Sequence, residues 1–313
     1  MSAPLSVLVV NFGTPELVSQ LLASLASHDD RALVRELIVV DNGFPGRGDS
    51  RRSVTAEGLP FPVRFAQNAG TSYASGVNRA AALAGGDMLV VCNSDVEWLE
   101  HESVAPLVDA IREPDVGIAG PQQVFPDGSW QRSFGPFPSL AEGLGSLVFA
   151  ESVRNAMAAG RHRRAGPRGG PREVQYVDGA FMAVRRTCFE ALGGFDERFG
   201  FYAEDMDFCA RAARQGWRSR FVPAARVLHV RGASSTAAAP QAYYERMLSA
   251  RVAFVHRHSG PAAAAWYARV LRINSHERAA VYRPLAWLAG TARWRQRLDV
   301  AVAVAKASGA IRA

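Results

Sequence analysis

A short polar segment follows an apolar run of the chain. Asn93, Ser94 and Asp95 come directly after a strand-like run that begins at Met88. A carboxylate and a second oxygen ligand at a strand end suit a hard divalent cation such as Mg²⁺ or Mn²⁺, which keeps open positions for substrate phosphates. The alternative interpretation is an ordinary turn in which Asp95 caps a helix.

Three carboxylates, those of Glu204, Asp205 and Asp207, stand within four residues at the start of a helical pattern. The helix dipole stabilises acids at this position, so N-terminal capping explains any one of them. Capping does not require three, and crowded like charges are typical of functional sites. One of them is therefore a candidate general base that takes a proton from an attacking hydroxyl group.

Two further segments have the composition of a ligand pocket. Asn68-Ala69-Gly70 precedes a helical pattern that contains Asn78, and a glycine there lets the backbone approach a ligand closely. Asp41 ends a strand-like run and can accept a hydrogen bond from the N3–H group of uracil or thymine. The alternatives are an ordinary tight turn at Gly70 and an Asx turn at Asp41.

The elements that must position these residues alternate between strand and helix patterns. Four apolar, strand-like runs cover Leu5–Asn11, Leu37–Asp41, Val63–Ala66 and Met88–Asn93. One helix is predicted with Thr14 as its N-cap and Pro15 as its first residue, and another over Ser72–Leu83. Strands buried on both faces that alternate with helices predict a parallel sheet flanked by helices. Such a sheet binds its ligand at the carboxyl ends of its strands, where Asn11, Asp41 and Asn93 stand.

The rest of the chain has a different character. The Arg-, Gly- and Pro-rich segment Arg154–Arg172 predicts a mobile loop. Further strands are predicted at Val174–Arg185, Arg218–Val222 and Arg226–Val230. The last of these contains His229 near its end. A lone histidine at a strand end is usually structural, although imidazole is also a common metal ligand. From about Pro240 the chain is rich in Ala and Arg and is predicted to be helical.

Composition limits the class of protein. The 313 residues carry a net charge of +7, and nearly all of the positive charge is arginine. The three cysteines, Cys92, Cys188 and Cys209, are too widely spaced for a zinc cluster and are expected to be buried thiols. No apolar run approaches the roughly 20 residues that span a bilayer, and the N-terminus has no basic region before its apolar run. We therefore expect a cytoplasmic protein.

The order of these motifs resembles family 2 of the glycosyltransferases, in particular its rhamnosyltransferase-like branch. The resemblance covers about residues 5–235 and rests on the whole set at these spacings. No single motif is specific. The matching segments, in order, are Val9–Phe12, Val39–Asn42, Asn68–Gly70 with Asn78, Asn93–Asp95, Val177–Phe181, Gly193–Phe199, Glu204–Asp207 and Val227–His229.

The resemblance implies a GT-A fold of the α/β class: a mixed, mainly parallel sheet flanked by helices, with a helical C-terminal extension. Residues 1–235 would form the catalytic domain, with a nucleotide-binding half at 1–97 and an acceptor-binding half at 98–235. Residues 236–313 would form the extension. By this resemblance Asp41 would contact the nucleotide base, Asn11 would lie nearby in the nucleotide pocket, and Asp178 and Gly179 would line the donor sugar.

The resemblance also implies roles for the acidic residues. Asn93-Ser94-Asp95 corresponds to the metal-binding "DxD" motif, with Asp95 as the main ligand. A histidine about two dozen residues after the catalytic acid completes the metal site, and His229 follows Asp205 by 24 residues. Asp205 is then the general base, and Glu204 orients the acceptor or the base. Asn93 replaces the first acid of the motif, so the site has one fewer negative charge.

The predicted activity is an inverting transfer of a sugar from a nucleotide diphosphate donor to an acceptor hydroxyl group, assisted by Mg²⁺ or Mn²⁺. The resemblance favours a dTDP-linked deoxysugar such as rhamnose, with UDP- and GDP-sugars as alternatives. A lipid-linked glycan and a small molecule both fit as acceptor. The Arg- and Trp-rich C-terminus suits an anionic membrane surface, a cover on the core or a homodimer contact.

Three other classes of protein fit the sequence less well. A sugar-nucleotide-binding scaffold without catalysis would not need the carboxylate cluster and His229. A nucleic-acid-binding protein is suggested by the basic charge alone, and no reader motif supports it. A nucleotidyltransferase should carry a Gly-rich loop with Lys or Arg after the first strand, and Asn11-Phe12-Gly13-Thr14-Pro15 is not such a loop.

Overall fold

The computed structural model describes residues 4–43, 54, 56, 58–68, 72–99, 104–147, 167, 169–230, 240–289 and 292–310. The chain packs as two compact units. Of the described residues, the first unit contains those from 4 to 136, from 167 to 200 and from 204 to 230. The second contains those from 137 to 147, from 201 to 203 and from 240 to 310. Gly70 and most of the predicted loop Arg154–Arg172 lie outside the described residues.

The first unit is built on a mixed sheet whose described part has ten strands in the order β3-β2-β1-β4-β11-β6-β12-β5, with β7 beside β6 and β9 beside β12. A separate pair is formed by β8 and β10. The strands are β1 (Leu5–Asn11), β2 (Val34–Asp41), β3 (Val63–Gln67), β4 (Met88–Asn93), β5 (Val96–Trp98), β6 (Val116–Val124), β7 (Trp130–Gln131), β8 (Phe134–Gly135), β9 (Arg172–Val174), β10 (Tyr176–Val177), β11 (Phe181–Arg185) and β12 (Arg218–His229).

Nine helices and one short 3₁₀ helix (Asp29–Leu33) complete the described structure. The helices are α1 (Pro15–Ser27), α2 (Tyr73–Leu83), α3 (Ala105–Arg112), α4 (Leu140–Leu147), α5 (Arg186–Ala191), α6 (Glu204–Arg214), α7 (Pro240–Ser259), α8 (Pro261–Ala289) and α9 (Ala292–Ala310). The predicted arrangement of sheet, flanking helices and helical C-terminus is confirmed.

The N-terminal half of the sheet is parallel, as its sequence predicts. Strands β3, β2, β1 and β4 all pair in parallel, and every residue of β1 is buried. Helix α1 packs its apolar stripe, which includes Leu21, Leu22 and Leu25, into the core beside β5. Because parallel strands share one direction, the carboxyl ends of β1, β2, β3 and β4 meet at one edge of the sheet.

Two local predictions differ from the structure. Thr14 precedes α1, but its hydroxyl group does not cap the helix and instead donates to Oδ1 of Asn11. The strands predicted separately at Arg218–Val222 and Arg226–Val230 are one strand, β12, with an irregular register between Val222 and Arg226. This interval contains Pro223, which has no N–H group for the sheet, so the pairing resumes only beyond it.

The second unit is helical. Helices α4, α7, α8 and α9 pack on one another. One η nitrogen of Arg251 donates to both carboxylate oxygens of Glu142 at 3.0 Å, and its ε nitrogen donates to the hydroxyl group of Tyr267 at 2.9 Å. Helix α4 thus packs with the helical unit, although it lies within the range 98–235 that the sequence assigned to the acceptor-binding half. No described helix is long and apolar enough to cross a membrane.

Candidate active site

The carboxyl ends of β1, β2 and β3 form a continuous polar edge. Asn11 and Asp41 are partners in the parallel register, and the backbone N–H of Asn42 donates to the carbonyl oxygen of Asn11 at 3.0 Å. The N–H of Asn68 donates to the carbonyl oxygen of Asp41 at 3.0 Å. The structure therefore brings together Asn11, Asp41 and Asn68, which the sequence predicts to line a nucleotide pocket.

The side chains of this edge are already bonded to one another. Oδ1 of Asp41 accepts the N–H of Gly43 at 3.0 Å, which is the bond of an Asx turn. Nδ2 of Asn68 donates to Oδ1 of Asn42 and to Oγ of Ser75, both at 2.8 Å. These bonds fix the shape of the edge before any ligand binds, and the base contact of Asp41 stays a prediction.

Asn78 bonds to a different segment, the loop before α6. Its Oδ1 accepts the N–H of Phe195 at 2.8 Å, and its Nδ2 donates to the carbonyl oxygen of Phe195 and to Oε1 of Glu197, both at 2.9 Å. The amide group thus pairs with the backbone as a neighbouring strand would. Asn78 holds the loop before α6, and the nucleotide contact predicted for it stays a prediction.

The turn Asn93-Ser94-Asp95 is fixed to three other segments. The N–H of Asn93 donates to the carbonyl oxygen of Ala180 at 2.9 Å. The hydroxyl groups of Ser94 and Thr14 are 3.2 Å apart, within hydrogen-bonding distance. The carbonyl oxygen of Asp95 accepts the N–H of Val230 at 3.0 Å. Ser94 and Asp95 are both buried, so the carboxylate of Asp95 is held by a rigid turn.

Asp95 and His229 meet, as the sequence predicts. Nε2 of His229 lies 3.4 Å from Oδ1 of Asp95, and both side chains are more than 90% buried. The other ring nitrogen, Nδ1, lies 3.1 Å from Oε1 of Gln123 and 2.6 Å from Oε1 of Gln131. These glutamines lie about 100 residues away in sequence, and no local pattern identifies them as partners of His229.

This pair fits the donor set of a hard cation. Adjacent ligands of an octahedral ion with bonds of about 2.1 Å are about 3 Å apart, close to the observed 3.4 Å. The described residues contain no group of three or more His, Cys, Asp or Glu side chains that could hold a metal ion. If an ion binds here, the described protein groups would supply two ligands, Asp95 and His229, and substrate phosphates would have to supply others.

Asp205 is held by backbone N–H groups. Its Oδ2 accepts the N–H of Gly179 at 2.9 Å, and its Oδ1 accepts the N–H of Met206 at 2.7 Å. Burial raises the pKa of Asp205 to about 6, and the negative charge of Asp178 adds to the increase. The two N–H groups oppose this increase because they stabilise the ionised form.

Glu204 is more deeply buried than its neighbour. Burial and the charge of Asp205 raise the pKa of Glu204 to about 8, so its carboxyl group is protonated at neutral pH. Its Oε2 is buried and has no hydrogen-bond partner among the residues that the structure describes. The pKa of Glu204 thus lies above that of Asp205, so Asp205 is the first of the two to ionise as the pH rises.

The third carboxylate of the cluster has a structural explanation. Asp207 is fully buried, and its Oδ2 accepts a hydrogen bond from Nε of Arg211 at 2.7 Å, one helical turn later. Arg211 also donates to the carbonyl oxygens of Leu192 and Gly194, both at 2.9 Å. Asp207 thus ties α6 to the preceding loop and leaves Glu204 and Asp205 as the candidate pair.

The backbone before α6 is strained. Tyr202 and Ala203 have φ angles of 73° and 68°, in the left-handed region that side chains other than glycine rarely adopt. Such a residue costs about 1–3 kcal/mol and is found mainly at functional sites. The strain coincides with the start of the helix that presents Glu204 and Asp205, which the sequence pattern did not indicate.

The turn 178–180 connects Asp205 to the segment that carries Asp95. The N–H of Gly179 binds Asp205, and the carbonyl oxygen of Ala180 binds Asn93 of the Asp95 turn. Oδ1 of Asp178 accepts the N–H of Ala180 at 2.9 Å, which closes the turn. The hydroxyl group of Tyr73, which the sequence did not single out, donates to the carbonyl oxygen of Gly179 at 3.3 Å. The candidate base Asp205 and the candidate cation site are thus parts of one hydrogen-bonded network.

This constellation lies inside a segment that matches a known family. Residues 3–247 match the family model described as "Glycosyltransferase like family 2". The chain belongs to this glycosyltransferase family. It is therefore a glycosyltransferase enzyme, and the family predicted from the order of its motifs is confirmed.

Named relatives include rhamnosyltransferases. The chain is 31% identical over 286 residues to the N-acetylglucosaminyl-diphospho-decaprenol L-rhamnosyltransferase of Mycobacterium tuberculosis, covering 87% of this chain and 89% of the relative. It is 39% identical over 56 residues to the rhamnosyltransferase WbbL of Escherichia coli, covering 18% of this chain and 21% of the relative. The rhamnosyltransferase-like branch is thus supported across most of the chain.

Solved structures confirm the GT-A fold. The mannosyltransferase PcManGT from Pyrobaculum calidifontis, solved in complex with GDP-Man and Mn²⁺, matches with a TM-score of 0.60 at 19% identity. The match covers 98% of this chain and 86% of that chain. GalNAc-T7, solved with UDP, GalNAc and Mn²⁺, matches with a TM-score of 0.54 at 17% identity, covering 81% of this chain and 47% of that chain.

Proposed function

We propose that this glycosyltransferase moves a deoxysugar such as rhamnose from a dTDP donor to an acceptor hydroxyl group, with inversion and with Asp205 as general base. The observation that carries the proposal is the turn 178–180, which binds Asp205 through Gly179 and the Asp95 turn through Ala180. The base and the cation site are therefore fixed relative to each other. The rhamnosyltransferase relatives support the choice of sugar.

The environment of Asp205 suits a base that works near neutral pH. A pKa of about 6 leaves the carboxylate ionised at neutral pH but more basic than an ordinary aspartate. The carboxylate would take the proton of the acceptor hydroxyl group as its oxygen attacks the anomeric carbon. The bond to the donor diphosphate would break on the opposite face, which gives inversion. Glu204, protonated beside it, would donate a hydrogen bond that orients the acceptor.

Asp95 and His229 are the residues that would hold a divalent cation. When bound, Mg²⁺ or Mn²⁺ neutralises the negative charge that develops on the leaving diphosphate. The carboxylate of Asp95 and the imidazole of His229 lie close enough to bind one ion. Asn93 would lie beside the diphosphate, because its N–H is bonded to the turn 178–180, which in this proposal faces the donor sugar.

The nucleotide would lie along the edge formed by β1, β2 and β3. Asp41 would accept the N3–H of thymine, and Asn11 and Asn68 would keep the strand ends in place through their backbone bonds. Asp178 and Gly179 would face the donor sugar, because they adjoin the base that must approach its anomeric carbon.

The helical unit favours a lipid-linked acceptor at an anionic membrane surface. Residues 240–313 carry 12 of the 36 Lys and Arg residues of the chain but only three of its 29 Asp and Glu residues. On α8, Trp266, Ile273 and Trp287 recur at multiples of seven residues and share one exposed face. Exposed arginines flank this face, including Arg269 and Arg272. Aromatic side chains beside basic ones are typical of helices that lie on anionic lipid.

Vesicle flotation tests the membrane contact. We expect the protein to float with vesicles that contain phosphatidylglycerol and to remain behind with pure phosphatidylcholine. A Trp266→Ser/Trp287→Ser variant should lose most of this binding. Equal flotation of the variant, or failure of the wild-type protein to bind either vesicle, would contradict the membrane assignment while leaving the transfer reaction open to test.

Donor binding tests the reaction class. Calorimetry with dTDP-, UDP- and GDP-sugars, each with Mn²⁺ and with a chelator, should show metal-dependent binding of the dTDP-sugar. Asp95→Ala and His229→Ala should each weaken that binding, whereas Asp205→Asn should leave it nearly intact. Equal affinity with and without metal in all of these proteins would overturn the proposed cation site.

A further inference from the structure

Two glutamines converge on His229. Gln123 on β6 and Gln131 on β7 are direct partners in the antiparallel register, so their side chains lie on the same face of the sheet. Both place Oε1 at Nδ1 of His229, at 3.1 Å and 2.6 Å. Both glutamines are almost completely buried, as is the histidine.

The direction of these bonds identifies the protonated ring nitrogen. Nε2 of Gln131 donates to the backbone carbonyl oxygen of His229 at 3.1 Å, which fixes the amide with Oε1 toward the ring. An amide oxygen only accepts hydrogen bonds, so Nδ1 must be the donor and carry the proton. In the neutral ring, Nε2 then has a lone pair, and it faces Oδ1 of Asp95 at 3.4 Å.

A lone pair and a carboxylate oxygen that face each other in a buried site repel. A proton on Nε2 would relieve this repulsion by forming a direct bond to Asp95, and a cation between the two atoms would relieve it by binding both. A neutral ring has one proton, and the two glutamine oxygens hold it at Nδ1. Protonation of Nε2 is therefore disfavoured in the neutral ring, which leaves a cation as the way to relieve the repulsion.

We propose that Gln123 and Gln131 are positioning residues that fix the Nδ1–H tautomer of His229 and so keep Nε2 available to a divalent cation. The inference rests on the proposed cation site and adds the residues that control it. Metal-bound histidines generally donate their second N–H to a fixed acceptor. Here two neutral amides supply that acceptor and add no charge to the site.

Gln123 makes the sharper probe of the two. Its Oε1 contacts the ring, whereas its Nε2 is buried without a hydrogen-bond partner among the described residues. Gln123→Met therefore removes the contact with the ring and also removes a buried N–H donor that lacks a partner. The variant should be no less stable than the wild-type protein. Gln131→Met removes a ring contact and the bond to the His229 carbonyl oxygen. The double variant leaves Nδ1 without either glutamine acceptor.

The test measures the tautomer of His229 and the Mn²⁺ affinity of the cation site in the same proteins. Nitrogen NMR shifts of His229 in the metal-free protein report its tautomer, and paramagnetic titration with Mn²⁺, alone and with dTDP, reports affinity. We expect Nδ1–H in the wild-type protein, and Nε2–H with about 10–100-fold weaker Mn²⁺ binding in Gln123→Met/Gln131→Met. Gln123→Glu in the Gln131→Met background restores an acceptor and should restore both readouts.

Gln122→Met is the matched control. Gln122 directly precedes Gln123 on β6 and is also buried, and its side chain points to the opposite face of the sheet. This variant should keep the tautomer and the Mn²⁺ affinity of the wild-type protein. The inference is overturned by an Nε2–H tautomer in the wild-type protein, or by unchanged Mn²⁺ affinity in the double variant. A wild-type protein that binds no Mn²⁺ at all would overturn the proposed cation site itself.

Discussion

The backbone N–H of Gly179 donates a hydrogen bond to Oδ2 of Asp205 at 2.9 Å, across 26 residues of sequence. Gly179 stands where a side chain would intrude on this bond. A Cβ atom built at this position would lie 3.1 Å from Cβ of Asp205 and 3.5 Å from its Oδ2. The absence of a side chain at residue 179 is thus part of how the carboxylate is placed.

Gly179→Ala should therefore displace the Asp205 carboxylate by a few tenths of an ångström. Because catalysis is sensitive to small displacements of a reacting group, we expect kcat to fall by about 10–100-fold while the Kd for the donor changes little. Steady-state kinetics and calorimetry measure the two quantities. Gly200→Ala is the control, since its Cβ would meet no atom within 4 Å. Unchanged kcat in Gly179→Ala would contradict this role.

Asp207 should matter for stability rather than for chemistry. Asp207→Asn removes a fully buried carboxylate charge that pairs with the largely buried Arg211, which should lower the free energy of unfolding by about 3 kcal/mol. The exposed pair of Asp109 and Arg112 offers a control, and Asp109→Asn should change stability by less than about 1 kcal/mol. Denaturant unfolding measures both. If Asp207→Asn were as stable as the wild-type protein but inactive, Asp207 would belong to the chemistry.

The raised pKa of Glu204 predicts a pH-dependent effect on stability. In the unfolded chain this carboxyl group ionises near its ordinary pKa, and in the folded protein only near 8. Its ionisation therefore favours unfolding increasingly as the pH rises from about 4.5 to about 8, and the effect is constant above that range. Glu204→Gln removes this group, so its gain in Tm over the wild-type protein should grow across the same interval. A gain in Tm that is independent of pH would contradict the assignment.

The pKa of Asp205 predicts the acidic limb of the rate profile. Since the base must be ionised, kcat/KM should rise with pH and level off above about 6. The charge of Asp178 raises this pKa, so Asp178→Asn should move the limb to lower pH even if the maximal rate also falls. Rates measured between pH 4.5 and 8 with a saturating divalent cation provide the test. A limb that stays in place, or moves to higher pH, would exclude this coupling.

The sequence predicted the elements and the carboxylates of the site, because both have local signals. Apolar runs ending in Asn11, Asp41 and Asn93 show the strands and the edge where polar groups meet. The pairing of Asp95 with His229 also followed, although from a family spacing and not from local chemistry. Local signals of this kind are sufficient to place residues on elements but not to show what each side chain binds.

What the sequence did not show depends on contacts between distant segments. Gln131 reaches His229 across 98 residues, and Tyr73 reaches Gly179 across 106. The bonds that Asn78 makes to the backbone of Phe195, across 117 residues, were likewise not indicated by the sequence. Pattern and composition cannot specify such partners, because they arise only when the sheet brings the segments together.

The most direct measurement of the central claim is a single-turnover assay of Asp205→Asn with dTDP-rhamnose and a lipid-linked glycan acceptor. The wild-type protein should form product, and the variant should be slower by about 10²–10⁴-fold with donor affinity nearly unchanged, because the base acts in the transition state. Near-normal turnover by Asp205→Asn would contradict the assignment of Asp205 as the general base.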